Sequence, residues 1–161
     1  MSAFEKAVMF IKEIGIPVQF RSFGEESFLP GTLIEQGELI VDLDKLKYPG
    51  DILHEAAHIA VVPAAERAML SGTAIAERPN REAEEMMAIA WSYAACIHLS
   101  IDPAFVFHEH GYQAGGGSIL ENFKQGRFFG VPMLQWIGLT REKAKAPGDI
   151  IYPAMIGWMR E

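Results

Sequence analysis

The sequence predicts an α+β fold, a small antiparallel sheet packed on helices in one domain over residues 1–161. Three observations lead there. An amphipathic helical stretch opens the chain, two arms of alternating or β-branched character flank a glycine-containing turn after it, and two further helical stretches follow with ionisable residues set into apolar surroundings. At 161 residues, 50% of them hydrophobic, the chain can bury a core without cross-links.

Each element has its own signal. Ser2 and Glu5 have capping-box spacing, and Phe4, Val8, Ile11 and Ile14 form one stripe of a helix over 2–14 that Gly15 ends. Ile16 to Phe23 reads as a strand, and Thr32 to Glu35 with Glu38 to Leu43 as a hairpin around Gln36-Gly37. Tyr48-Pro49-Gly50 is a turn signal, Asp51 is a good N-cap and Pro63 a stop, so a helix of about three turns lies between them. Ser71 to Pro79 reads as a loop, and Asn80 to Leu99 as a long helix with Glu82, Glu84 and Glu85 in its first turns.

After Pro103 the chain is loop-rich. His108 and His110, two apart, point to opposite sides of an extended segment, so only one of them is expected to turn toward a site. Gly111 to Ser118 imitates the spacing of a phosphate-binding loop but has Gly117 where lysine is required, which excludes that motif. Its glycines predict a flexible lead into a short helix, a candidate flap, with Ser118 and Glu121 as a second capping box. The apolar tail, with Phe129, Leu134, Trp136, Ile151, Tyr152 and Trp158, is expected to pack on the core or to form a homodimer contact.

Composition excludes several function classes. A net charge of -7 without clustered Lys or Arg leaves no electrostatic footprint for nucleic acid. The most apolar stretch, residues 86–99, carries Ser92, Tyr93 and His98 and is too short for a bilayer, so no membrane partner is expected. The N-terminus lacks the basic and apolar regions of a signal peptide, and the single Cys96 has no intramolecular partner. A cytoplasmic protein is expected.

The chemistry concentrates in residues 54–58, His-Glu-Ala-Ala-His, the H-E-x-x-H arrangement. On a helix His54 and His58 lie one turn apart on one face and can reach the same metal ion, zinc by default. Glu55 is then a base rather than a ligand, poised to take a proton from metal-bound water as it attacks a carbonyl. The longer pattern H-E-x-x-H-x-x-G-x-x-H is absent, because Val61 and Ala64 occupy its Gly and final His positions.

A third ligand has to come from further on. His54-Glu55-Ala56-Ala57-His58, followed by Arg81-Glu82-Ala83-Glu84-Glu85-Met86-Met87-Ala88 at the head of an apolar helix, resembles the minimal gluzincin domains of bacterial cytoplasmic proteins, including the ImmA/IrrE type. The likeness covers residues 50–100. It implies a zincin-like fold, a zinc metallopeptidase activity on peptide or another amide substrate, and a Glu ligand from the second helix. Helix phase favours Glu85, which shares a face with Ile89, Ser92 and Cys96, over Glu84, whose face carries Ala88, Trp91, Ala95 and His98. Glu82, one turn before Glu85, is a supporting group or a substitute. His108 and Tyr112 are candidates to hydrogen-bond the developing oxyanion, and His108 or His110 to supply an alternative ligand. A metal-binding regulatory or interaction domain without catalysis is the rival expectation.

Overall fold

The computed structural model describes residues 1–24, 27, 29–112 and 115–161. Helix α1, Ala3–Glu13, opens with the expected capping box: Glu5 N–H donates to Ser2 Oγ at 3.1 Å and Ser2 N–H to Glu5 Oε2 at 2.7 Å. Its inner face buries Ala7, Val8, Phe10 and Ile11. Three short strands follow, β1 Val18–Phe20, β2 Thr32–Glu35 and β3 Glu38–Val41. The hairpin falls where Gln36-Gly37 places it, with both residues at positive φ, +51° and +76°.

The sheet is mixed, which corrects the antiparallel expectation. Its order is β1-β3-β2, with β2 antiparallel to β3 and β1 parallel to it in the register Val18↔Leu39, Gln19↔Ile40, Phe20↔Val41. The reason is burial. Leu39, Ile40 and Val41 are all buried, so β3 takes the centre, while β1, largely exposed, fills an edge. β1 is also shorter than the expected 16–23 span.

Helix α2, Asp51–Ala60, begins one residue before the expected start. The cap is Gly50, not Asp51. A Cβ at Gly50 would run into the Phe105 carbonyl, so glycine permits that backbone to rest on the start of α2, and the Asp51 carboxylate is engaged elsewhere. Every residue of α2 except His58 is buried, among α1, the sheet and α4. A 3-10 turn over Ala64–Met69 precedes the expected loop, and helix α3, Gly72–Ala76, occupies part of it, since Ala74, Ile75 and Ala76 sustain a single turn.

Helix α4, Arg81–Leu99, lies against α2, and completely buried alanines on both (Ala56, Ala57, Ala60; Ala88, Ala90, Ala94, Ala95) let two backbones approach closely. Helix α5, Gly116–Lys124, starts ahead of Ser118, which is an exposed helical residue rather than a cap. Gly116 is buried against the His108 carbonyl, where a side chain would collide, and that approach sets the helix start. The expected flap includes Gln113 and Ala114, which lie outside the described residues.

Helix α6, Val131–Trp136, and the tail return to the core. Leu134, Leu139 and Tyr152 are buried, Tyr152 donating to Ala90 O at 2.8 Å, and Trp91 Nε1 donates to Trp158 O at 2.9 Å. The tail then closes the carboxyl end of α2, where Arg160 N–H donates to Ala60 O, its guanidinium to Val61 O, and Arg67 to Ile59 O. Two cations thus satisfy carbonyls that the helix leaves free. Trp136 remains 80% exposed. Among the described residues no helix is long and apolar enough to cross a membrane.

Candidate metal centre

The phase of α2 turns His54 and His58 to the same side, their Nε2 atoms 3.1 Å apart. From α4, Glu85 reaches across with Oε2 2.9 Å from His58 Nε2 and Oε1 3.5 Å from His54 Nε2. The three side chains form a group with metal-ligating spacing, their donor atoms all within 4.8 Å of one another. A tetrahedral ion with bonds of about 2.0–2.1 Å would set its ligand atoms about 3.3–3.4 Å apart. Separations of 3.1, 3.5 and 2.9 Å bracket that requirement, so the residues fit a small divalent cation.

The two neighbouring glutamates go elsewhere. Glu84 is buried and held in a fork by Arg78, at 2.6 and 3.0 Å, while Glu82 is exposed. Helix phase had separated Glu84 from Glu85, but Arg78 as the partner of Glu84 was not foreseen. It sits six residues upstream, outside the helix, at no spacing that a helical pattern would flag.

The electrostatics follow from burial. His54 is pushed down to about 3, first by desolvation and then by His58, and stays neutral. Desolvation opposes charge on His58 as well, but its hydrogen bond to Glu85 and the nearby carboxylates carry it above the ordinary value. Burial would raise Glu85, and the same two histidines hold it below the usual range. Glu55, 8% exposed, is raised to about 7, chiefly by burial. Among the described residues no side chain hydrogen-bonds its carboxylate.

His108 and Tyr112 meet α2 by routes the sequence did not foresee. His108 Nε2 lies 2.9 Å from Asp51 Oδ1, one helical turn before His54, and its ring stacks on Tyr48 with centroids 4.3 Å apart. Asp51 Oδ2 and His108 Nδ1 are buried without a hydrogen-bond partner, and burial raises Asp51 against the opposing pull of His108. His110 is exposed and also stacks on Tyr48, at 5.5 Å. The period-two argument for these histidines does not apply, because the segment is a turn closed by Gly111 N–H donating to His108 O at 3.1 Å. Neither histidine joins the His54–His58–Glu85 group. The Tyr112 hydroxyl lies 2.7 Å from His54 Nδ1, on the ring nitrogen away from that group.

Comparison of the chain with models of known protein families, with characterised proteins and with solved structures gives no match.

Proposed function

We propose that this chain is a zinc-dependent hydrolase of the zincin type, a metallopeptidase acting on peptide or another amide. The observation that carries the reading is the convergence of His54, His58 and Glu85 at ligand spacing, with Glu55 buried in the same helix between the two histidines. Two imidazoles and one carboxylate suit zinc, and they leave a fourth position for reactants. The order of the motif and the arrival of the carboxylate from a second helix also agree with the gluzincin resemblance. Bound there, zinc would supply Lewis acidity toward a carbonyl and toward water.

The chain's own residues divide the remaining work. His54 and His58 present their Nε2 atoms from one face, and Glu85 anchors the opposite side of the group from α4. Glu55, shielded from solvent, accepts a proton from the attacking water at its carboxylate and returns it to the leaving amine. Glu85, with its side chain 41% exposed, lies on the open side by which reactants approach. Cys96 is a free, buried thiol, which suits the reducing environment of the cytoplasm.

One observation favours the non-catalytic, metal-binding alternative. His54 and Glu55 are only 7% and 8% exposed, which narrows the access of a substrate to the group. Glu55→Gln separates the two readings. In a hydrolase, untagged wild type carries about one zinc per chain and cleaves members of a peptide library read by mass spectrometry, whereas Glu55→Gln keeps the zinc and loses cleavage. Cleavage retained by Glu55→Gln removes the mechanism, and zinc without cleavage in wild type supports the alternative.

A further inference from the structure

The hydrogen-bond arithmetic around His54 assigns a role to Tyr112. A neutral imidazole carries one proton, on either nitrogen, and an ionised carboxylate only accepts. The 2.9 Å contact between His58 Nε2 and Glu85 Oε2 therefore puts a proton on His58 Nε2. His54 Nε2 lies 3.1 Å from that same nitrogen, and two N–H groups cannot face each other at this distance. Its lone pair must point into the group. An imidazole keeps at least one ring proton, so the proton is on Nδ1, and the partner there, Tyr112 Oη at 2.7 Å, is the acceptor.

We infer that Tyr112 is a positioning residue whose phenol oxygen holds the His54 proton on Nδ1, so that Nε2 is presented with its lone pair free for a cation. The inference rests on the metal reading above. Metal-bound histidines need this arrangement, because the hydrogen bond made by one ring nitrogen decides which lone pair the other offers. A carboxylate or a carbonyl commonly fills the position, and here a phenol does.

Tyr112 is built to stay there. Its ring stacks on Phe107 with centroids 5.5 Å apart and meets His54 edge-on at 5.0 Å. Its backbone sits at φ +55°, uncommon for an aromatic residue, and its carbonyl accepts from Gly115 N–H at 2.9 Å. The preceding turn is tied to α2 through His108 and Asp51, so residues 108–112 grip the helix at two points one turn apart, Asp51 and His54. The turn thereby fixes both the place and the tautomer of one ligand.

The test compares wild type with Tyr112→Phe, which keeps the ring and removes the oxygen, and with Phe107→Leu, which loosens the packing and keeps the oxygen. Zinc affinity is measured by chelator competition, and the His54 tautomer by long-range ¹⁵N–¹H correlation in zinc-free and zinc-loaded protein. The expected result is an Nδ1–H tautomer in wild type, a shifted Nδ1–H resonance that has lost its acceptor in zinc-free Tyr112→Phe, and a fall of roughly 10–100-fold in its zinc affinity. Phe107→Leu should keep the wild-type tautomer. Wild-type affinity and an unshifted Nδ1–H resonance in Tyr112→Phe, or an Nε2–H tautomer in zinc-free wild type, would overturn the role of Tyr112 while leaving the metal centre standing. No zinc uptake by wild type would overturn the metal reading itself, and the purpose assigned to Tyr112 with it.

Discussion

Among the described residues, two histidine–carboxylate pairs have the same length, His58 with Glu85 and His108 with Asp51, each at 2.9 Å, and they differ in what surrounds them. The first faces a third donor, His54 Nε2, and its carboxylate is partly open to solvent. The second lies against the Tyr48 ring, leaves Asp51 Oδ2 and His108 Nδ1 unpartnered, and gains no third ligand among the described residues. Pairing a histidine with a carboxylate is thus insufficient for a cation site. Convergence of a further lone pair makes the first a candidate metal centre, whereas the second fastens a turn to a helix.

The largest expected effect tests that distinction directly. Elemental analysis should find zinc in wild type and in His108→Ala but not in a His54→Ala, His58→Ala double variant. Zinc lost equally from both variants would erase the contrast between the pairs.

The two adjacent glutamates of α4 sharpen it. Glu85→Gln should weaken zinc binding more than about a hundredfold, because it removes an anionic ligand where even supporting groups account for 10–100-fold. Glu84→Gln should leave zinc binding in place and destabilise the fold by about 2–4 kcal/mol, since it strands the Arg78 guanidinium in a largely buried site. The Glu66 carboxylate, 3.7 Å from Arg78, keeps the loss from being larger. Denaturant midpoints and chelator competition on the two variants check both halves.

Glu55 supplies a pH test of the metal-free protein. Its folded value of about 7 exceeds the ordinary 4.5, so the folded state binds an extra proton between them. Stability then falls as pH rises through that window, by roughly 3 kcal/mol in all. His58, also raised, adds a slope of the same sign, whereas His54, pushed down from the ordinary 6.5 to about 3, contributes the opposite slope between those values. Relative to wild type, Glu55→Gln should therefore shift the difference between urea midpoints at about pH 5 and about pH 8 toward lower stability at the acid end. An unchanged separation would place the titration elsewhere.

The smallest effect belongs to the second pair. His108→Ala leaves the buried Asp51 carboxylate without its partner and should cost about 1–3 kcal/mol in urea unfolding. A loss of zinc from this variant would show that the turn matters to the centre as much as the ligands do.

Much of this was legible locally. The capping box at Ser2 and Glu5, the Gln36-Gly37 hairpin and the long helix ending at Leu99 each depend on residues a few positions apart. The same holds for His54 and His58, whose alignment follows from one helical turn, and for the phase that distinguishes Glu85 from Glu84. Asp51 shows where local reading stopped. Its position before an apolar helical run suggested a cap, yet its partner is His108, fifty-seven residues away.

By itself, the sequence determined the helices α1, α2 and α4 and the β2–β3 hairpin, which face of α2 carries the two histidines and the one glutamate, and that Glu85 shares its stripe with small and apolar residues. Only the tertiary structure decided that β1 runs parallel to β3, that Arg78 holds Glu84, that Tyr112 meets the back of His54, and that Arg67 and Arg160 close the end of α2. The physical reason is one of range. Helix phase and turn chemistry are set by dihedral preferences and hydrogen bonds between near neighbours, which composition and spacing encode. Pairings between distant segments depend instead on which apolar surfaces bury together, and only once α2 and α4 lie side by side do the polar groups on them find their partners.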